Sequence, residues 1–199
     1  MKALRWERDG EISLLARRLL RAIDRKDGYT YRHTGRVVEH ALFLAAELGF
    51  TEKEKQALYF GALFHDAGRL DVDESILNKP GPLVEAEWQS IWRHPLWGAE
   101  KIKGITALEE IVSLVRGHHE RWDGSGYPDG LKGDRIPLGA RILGLADSFD
   151  AMTSPRPYRP ARTPDEAIME LQAGAGRLYD PALVEAFLRV LERQVPDTH

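Results

Sequence analysis

The chain contains no cysteine. Disulfides and thiolate-held zinc are therefore excluded, and any metal must be held by histidine, carboxylate and water. Long apolar runs are missing too. Nothing approaches the ~20 residues needed to span a bilayer, and the opening MKALRWERDG lacks the apolar core of a signal peptide. These absences lead to an expectation of no membrane insertion and a cytoplasmic protein. Net charge is only −3, which speaks against the basic surface that DNA binding needs. Lysine is scarce, 8 against 20 arginines. Arginine is the better bidentate partner for phosphate, although genome composition or thermal adaptation produces the same skew.

What is present is helical patterning nearly throughout. In EISLLARRLLRAID (11–24), Ile12, Leu15, Leu19 and Ile23 fall on one face at helical spacing. A second helix is expected over 33–48, closed by Gly49. A third is opened by the Thr51/Glu54 capping box and runs to Gly68. An irregular stretch with Pro80, Gly81 and Pro82 follows, then a helix in which Trp88 and Trp92, four apart, are expected in the core. Further helices are predicted over 107–119, from Pro137, from Thr163-Pro164 and from Asp180-Pro181 to about 193. With no strand series and no linker, the pattern predicts an all-α fold, a bundle of about seven to eight helices. The expected organisation is one domain over 1–199, with an N-terminal helix in 1–26.

Polar residues interrupt the apolar faces of these helices. Leu58 and Ala62 point to an inward position at 65, which is His65, followed by Asp66. Leu108, Ile111 and Val115 point to 118 and 119, which are His118 and His119. Asp147 stands where the stripe of ARILGLAD would continue, while His33 opens the second helix and His94 precedes Pro95. A buried polar group must be paired or bound, or it costs several kcal/mol. A metal cluster satisfies all of these at once, and imidazole with carboxylate suits iron, manganese or zinc. Side chains at i and i+1 diverge by about 100°, so His65 can ligate one ion while Asp66 bridges toward a second. His40, about 10 Å along the helix from His33, reads as structural.

At these positions the sequence resembles a known family. HTGRV at 33–37, HDAGR at 65–69, His94-Pro95, HHERWDGSGYP at 118–128 and ADSFDAMTSPRPYR at 146–159 are similar to the motifs of HD-GYP domains. These form a branch of the HD phosphohydrolase superfamily that hydrolyses the bacterial second messenger cyclic di-GMP. The resemblance runs over 27–190. It implies a helical bundle around two divalent metal ions, iron or manganese most typically and zinc as a further choice. One would take His33, His65 and Asp147, the other His94, His118 and His119, with Asp66 bridging. Some family members hold a third metal through an acidic residue four positions before the first histidine. That position is Tyr29 here, which argues for two.

The resemblance implies a phosphodiesterase in which a metal-activated hydroxide attacks phosphorus, giving linear pGpG, GMP or both. Asp66 and Arg69 take catalytic roles, and Arg69, Tyr127, Arg156 and Arg159 bind substrate. Arg69 stands where the family usually has lysine, and Thr34 where it usually has serine. Gly124 and Gly126 are expected at positive φ, and Glu120, Asp123 and Asp150 are expected to orient ligands or cap helices. Implied partners are cyclic di-GMP or a related cyclic dinucleotide, together with regulatory or diguanylate-cyclase proteins. The competing readings are a non-catalytic module that senses cyclic di-GMP or docks a protein, and a hydrolase of another cyclic dinucleotide or of a phosphomonoester.

Overall fold

The computed structural model describes residues 11–26, 28–105, 108–155 and 160–194, apart from some side chains in the first helix, at the start of the second and at Gln194. The α-helices among them are α1 (Glu11–Lys26), α2 (Gly28–Glu47), α3 (Glu52–Phe64), α4 (Glu74–Leu77), α5 (Glu85–Ile91), α6 (His94–Ile102), α7 (Glu109–Gly117), α8 (Leu138–Thr153), α9 (Pro164–Gly174) and α10 (Pro181–Gln194). Two 3-10 turns, Ala67–Asp71 and Gly133–Arg135, join them. The only β feature among the described residues is an isolated bridge between Ala175 and Tyr179. The fold is all-α.

Local chemistry sets the helix starts. At α3 the Thr51 hydroxyl accepts from the Glu54 amide, while the Glu54 carboxylate accepts from the Thr51 amide at 2.7 Å. Thr163 and Glu166 repeat the arrangement at α9, with Pro164 in the first turn. Each satisfies helix N–H groups that have no partner inside the helix.

Two apolar cores share α3. Leu58 and Ala62 pack with Val37, Ala41 and Leu44 of α2, with Leu143, Ala146 and Phe149 of α8, and with residues of α9 and α10. Phe60, Phe64 and, just beyond the helix, Ala67 join Ile102 of α6 and Ile111 and Val115 of α7. Helix α3 is thus apolar on two sides, and its C-terminal end lies at the seam between the cores.

α3 ends earlier than the sequence predicts. Phe64 is its last residue and His65 its C-cap, and the chain tightens into the 3-10 turn Ala67–Asp71. Gly68 permits that turn. A Cβ there would lie 2.0 Å from the His94 carbonyl oxygen and 2.6 Å from the Gly98 amide nitrogen, so only glycine lets the turn press onto α6. On the far side, the Lys26 ammonium of α1 donates to the Leu70 and Val72 carbonyls.

The expectation that Trp88 and Trp92 pack in the core is overturned. They are 43% and 40% exposed. Apart from the two indoles, Ile91 is the only large apolar residue of EAEWQSI and the residue after it. Helix α5 therefore has no apolar stripe to sink into either core, and none of its residues is buried.

Candidate metal centre

Three histidines stand at helix ends. His65 caps α3, His118 caps α7, and His94 begins α6 just after α5. The last carbonyls of a helix lack intrahelical partners, and each imidazole supplies one. Nδ1–H of His65, His94 and His118 donates to the carbonyl three residues back, of Ala62, Ile91 and Val115, each at 2.7 Å. A carbonyl can only accept, so Nδ1 carries the proton, and in the neutral ring Nε2 is the nitrogen that bears the lone pair.

Those lone pairs meet inside the protein. His94 Nε2 and His118 Nε2 are 3.2 Å apart. Burial pulls both imidazoles down, His94 to about 3, so neither holds a second proton at neutral pH. His65 Nε2 is buried with no hydrogen-bond partner. Two facing acceptors repel, and a buried acceptor without a donor is costly. A cation resolves both. Two nitrogens bound to one ion at ~2.0–2.1 Å stand roughly 2.9–3.3 Å apart at tetrahedral or octahedral angles, which matches the separation found.

The donors fall into two groups of three. His94, His118 and His119 bring one nitrogen each within 4.8 Å of one another, and so do the donor atoms of His33, His65 and Asp66. Asp66 touches both groups. Its Oδ1 is 3.3 Å from His94 Nε2 and its Oδ2 is 3.5 Å from His65 Nε2. Asp147 Oδ1 lies 3.0 Å from His33 Nε2. Burial works to raise the Asp66 carboxyl, but Arg69, His65, His94 and His33 hold it well below the usual carboxylate range. The Arg69 guanidinium stands 3.5 Å from Asp66 Oδ2.

His33 is oriented from behind. Its Nδ1 meets Asp150 Oδ2 at 2.6 Å, and Asp150 is itself held by the Arg36 guanidinium. His33 and Arg36 are three apart on α2, and Asp147 and Asp150 three apart on α8, so one turn of each helix supplies the pairs. Burial lowers His33, but the Asp147 and Asp150 carboxylates outweigh it and raise the imidazole to about 9. His40, by contrast, packs its ring edge-on against Phe149 and Phe187.

The glycine-rich loop closes over His119. The Tyr127 amide donates to the His119 carbonyl at 3.2 Å, and the two rings lie 4.9 Å apart at 32°. Glu120 accepts from the Asp129 and Leu131 amides at 2.7 and 3.0 Å, which pins the loop's return. Asp123 accepts from the Ser125 amide. Gly124 takes φ +85° as expected, but Gly126 does not have positive φ. It is glycine because a Cβ would meet the Arg121 amide at 2.3 Å and the His119 carbonyl at 2.5 Å. The Tyr127–Pro128 peptide is cis.

A pocket of about 320 Å³ opens beside this centre, lined by His118, His119 and Tyr127 together with Trp88, Trp92, Trp122, Arg141 and Tyr179. Sequence reasoning singled out none of these last five as site residues. The available signal was an aromatic residue beside each motif, at 122 after the two histidines and at 179 before Asp180-Pro181. Arg156 and Arg159 lie outside the described residues, as does the side chain of Tyr29.

An all-α bundle that gathers five imidazoles and two carboxylates around one buried centre has the donor set of a divalent-metal protein of histidine–aspartate type. The chain belongs to the HD domain family, whose model matches residues 17–183, and its relatives are of the HD-GYP type. It is 45% identical over 174 residues to the cyclic di-GMP phosphodiesterase response regulator RpfG of Xanthomonas campestris pv. campestris, covering 86% of this chain and 46% of that protein. It is 39% identical to a cyclic di-GMP phosphodiesterase of Thermotoga maritima, with 87% and 48% covered. It is also 39% identical to the 3'3'-cGAMP-specific phosphodiesterase 1 of Vibrio cholerae, with 84% and 39% covered. The chain thus spans less than half the length of these relatives. Among solved structures, the Vibrio cholerae cyclic GMP-AMP phosphodiesterase V-cGAP3 superposes with TM-score 0.72 at 24% identity, covering 92% of this chain and 49% of that one. The Listeria monocytogenes PgpH HD domain in complex with cyclic di-AMP gives 0.63 at 19%, covering 87% and 94%. At those identities the likeness is one of fold.

Proposed function

We propose that the chain is a metal-dependent cyclic-dinucleotide phosphodiesterase that hydrolyses cyclic di-GMP to linear pGpG, GMP or both. The observation that carries this reading is Asp66, one carboxylate within reach of histidines from both three-donor groups, in a centre whose His118 and His119 line an aromatic pocket. The donors fit two divalent ions, His33, His65 and Asp147 around one and His94, His118 and His119 around the other, with iron or manganese the expected metals and zinc a further choice. When bound, such a pair supplies Lewis acidity to a phosphoryl oxygen and lowers the pKa of water.

The chain's own residues do the rest. Asp66 holds the two groups in fixed relation. Arg69, beside Asp66, is placed to meet charge on the non-bridging oxygens of a phosphate. Tyr127, whose hydroxyl is raised by burial and stays protonated, offers a donor and a ring face. Arg156 and Arg159 are assigned to the phosphates from the sequence resemblance alone. A cytoplasmic setting and regulatory or diguanylate-cyclase partners go with a second-messenger substrate.

Metal analysis of anaerobically purified protein, coupled to turnover of cyclic di-GMP, tests the reading. It expects about two ions per chain and product formation that depends on iron or manganese, both abolished in Asp66→Ala. Relatives named for 3'3'-cGAMP make that nucleotide the second substrate to assay. A metal-loaded protein that turns over no cyclic dinucleotide would overturn the proposal.

A further inference from the structure

We infer that Trp88 and Trp92 form the platform on which a base of the substrate stacks, which makes them specificity-determining residues of the proposed reaction. The inference rests on the phosphodiesterase reading and adds how the site recognises its substrate. The two indoles lie 6.4 Å apart at 28°. Trp92 continues to Tyr127 at 5.9 Å and 38°, and Tyr127 to the metal-site His119 at 4.9 Å and 32°. Both tryptophans and both adjacent histidines line one cavity. An aromatic ladder therefore runs from the proposed metal centre to the surface.

Packing does not account for this ladder. Helix α5 buries none of its residues, so its indoles serve neither core. Yet the start of the helix is capped. Glu87 accepts from the Val84 amide at 2.8 Å and pairs with Lys79 at 2.7 Å. Two large apolar rings at about two-fifths exposure lining the cavity beside the proposed metal centre suit a planar, apolar-faced ligand. Trp122 lines the same cavity, and one of its faces is covered by the Arg141 guanidinium at 5.5 Å. Trp88 and Trp92 keep ring surface exposed, and base–aromatic stacking needs only a π-face.

The experiment compares Trp88→Ala, Trp92→Ala and the corresponding Phe variants in the full chain with bound metal. Substrates are cyclic di-GMP and an abasic sugar–phosphate diester, which offers phosphorus and no base. Each alanine variant should raise KM for cyclic di-GMP about ten- to hundredfold. The ratio of kcat/KM between the two substrates should fall by the same factor, metal content should stay at the wild-type value, and Phe should restore most of the loss. An unchanged KM, or an equal loss on both substrates, would overturn the platform. Equilibrium binding of cyclic di-GMP in EDTA separates this inference from the reading beneath it. A wild type that binds without turnover, with affinity lost in the alanine variants, keeps the platform and removes the catalysis. Turnover with wild-type KM in the variants removes the platform alone. A wild type that neither binds nor turns over cyclic di-GMP overturns both.

Discussion

His94 and His118 face each other through Nε2 atoms 3.2 Å apart, each donating its Nδ1–H to a main-chain carbonyl. Without a cation between them the two lone pairs repel, and with one they become ligands. Metal should therefore stabilise the fold as well as activate it. An ion present at a hundredfold over its Kd contributes about 2.7 kcal/mol per site, which in a chain of this length moves Tm by roughly 5–10 °C. Calorimetry with and without EDTA should show that shift in the wild type and a much smaller one in His118→Ala. Equal shifts in both proteins would remove His118 from the centre.

Asp150 touches His33 at Nδ1, not at the nitrogen that faces the donor cluster. It fixes the ring's orientation and raises its basicity. Loss of such an orienting carboxylate costs about 10–100-fold in metal affinity or activity. Asp150→Asn should weaken manganese binding by that factor, read by competition with a chelating dye, while circular dichroism retains the helical spectrum. Asp147→Asn should do more, because Asp147 meets the Nε2 face itself. An Asp150→Asn protein with wild-type affinity would show that Arg36 and α2 suffice to hold His33.

The histidines were legible because they break an apolar rhythm, as His65 does after Leu58 and Ala62. What the rhythm could not show was that the third helix ends at His65 and not at Gly68. A helix interior and a helix C-cap have the same spacing up to the last turn, and only the Nδ1–H bonds to the i−3 carbonyls separate them. The Trp88/Trp92 spacing was ambiguous for a related reason. Rings four apart share a face whether that face meets a core or a pocket, and the polar composition of the rest of α5 was the signal that decides it. Asp150 was read as an orienting group, but its partner depends on the packing of α2 on α8, which no local pattern encodes.

Gly68 ties the stability of the turn to the geometry of the metal centre. A methyl group there meets the His94 carbonyl and the Gly98 amide, both main chain, so neither can rotate away. The turn must lift from α6, and the Asp66–His94 separation of 3.3 Å must grow with it. Gly68→Ala should cost about 1–3 kcal/mol or more in chemical denaturation and should lower metal content at equal folded fraction. Gly35 has open space at its Cβ position, so Gly35→Ala serves as the control and should keep wild-type metal content. A Gly68→Ala protein with full metal loading would mean that α6 moves with the turn.

The metal-free protein should be most stable near pH 6.5 and lose stability in both directions, for opposite reasons. Burial holds His94 at about 3 and lowers His118 and His119, against an ordinary value of 6.5. As pH falls below 6.5 the unfolded chain takes up protons that the folded chain refuses. Stability then drops by up to about 1.4 kcal/mol per pH unit for each imidazole. His33 runs the other way. Held at about 9 between Asp147 and Asp150, it keeps a proton the unfolded chain has already released, so its contribution is complete below 6.5 and lost as pH rises through 9. Denaturation midpoints of EDTA-treated protein across this range should trace a dome. His33→Gln should flatten its alkaline side and leave the acid side in place, because His94, His118 and His119 are untouched. A profile that stays level below pH 6.5 would show that these three imidazoles accept protons inside the fold, and would refute the assignment of neutral, inward-facing Nε2 atoms on which the metal centre is built.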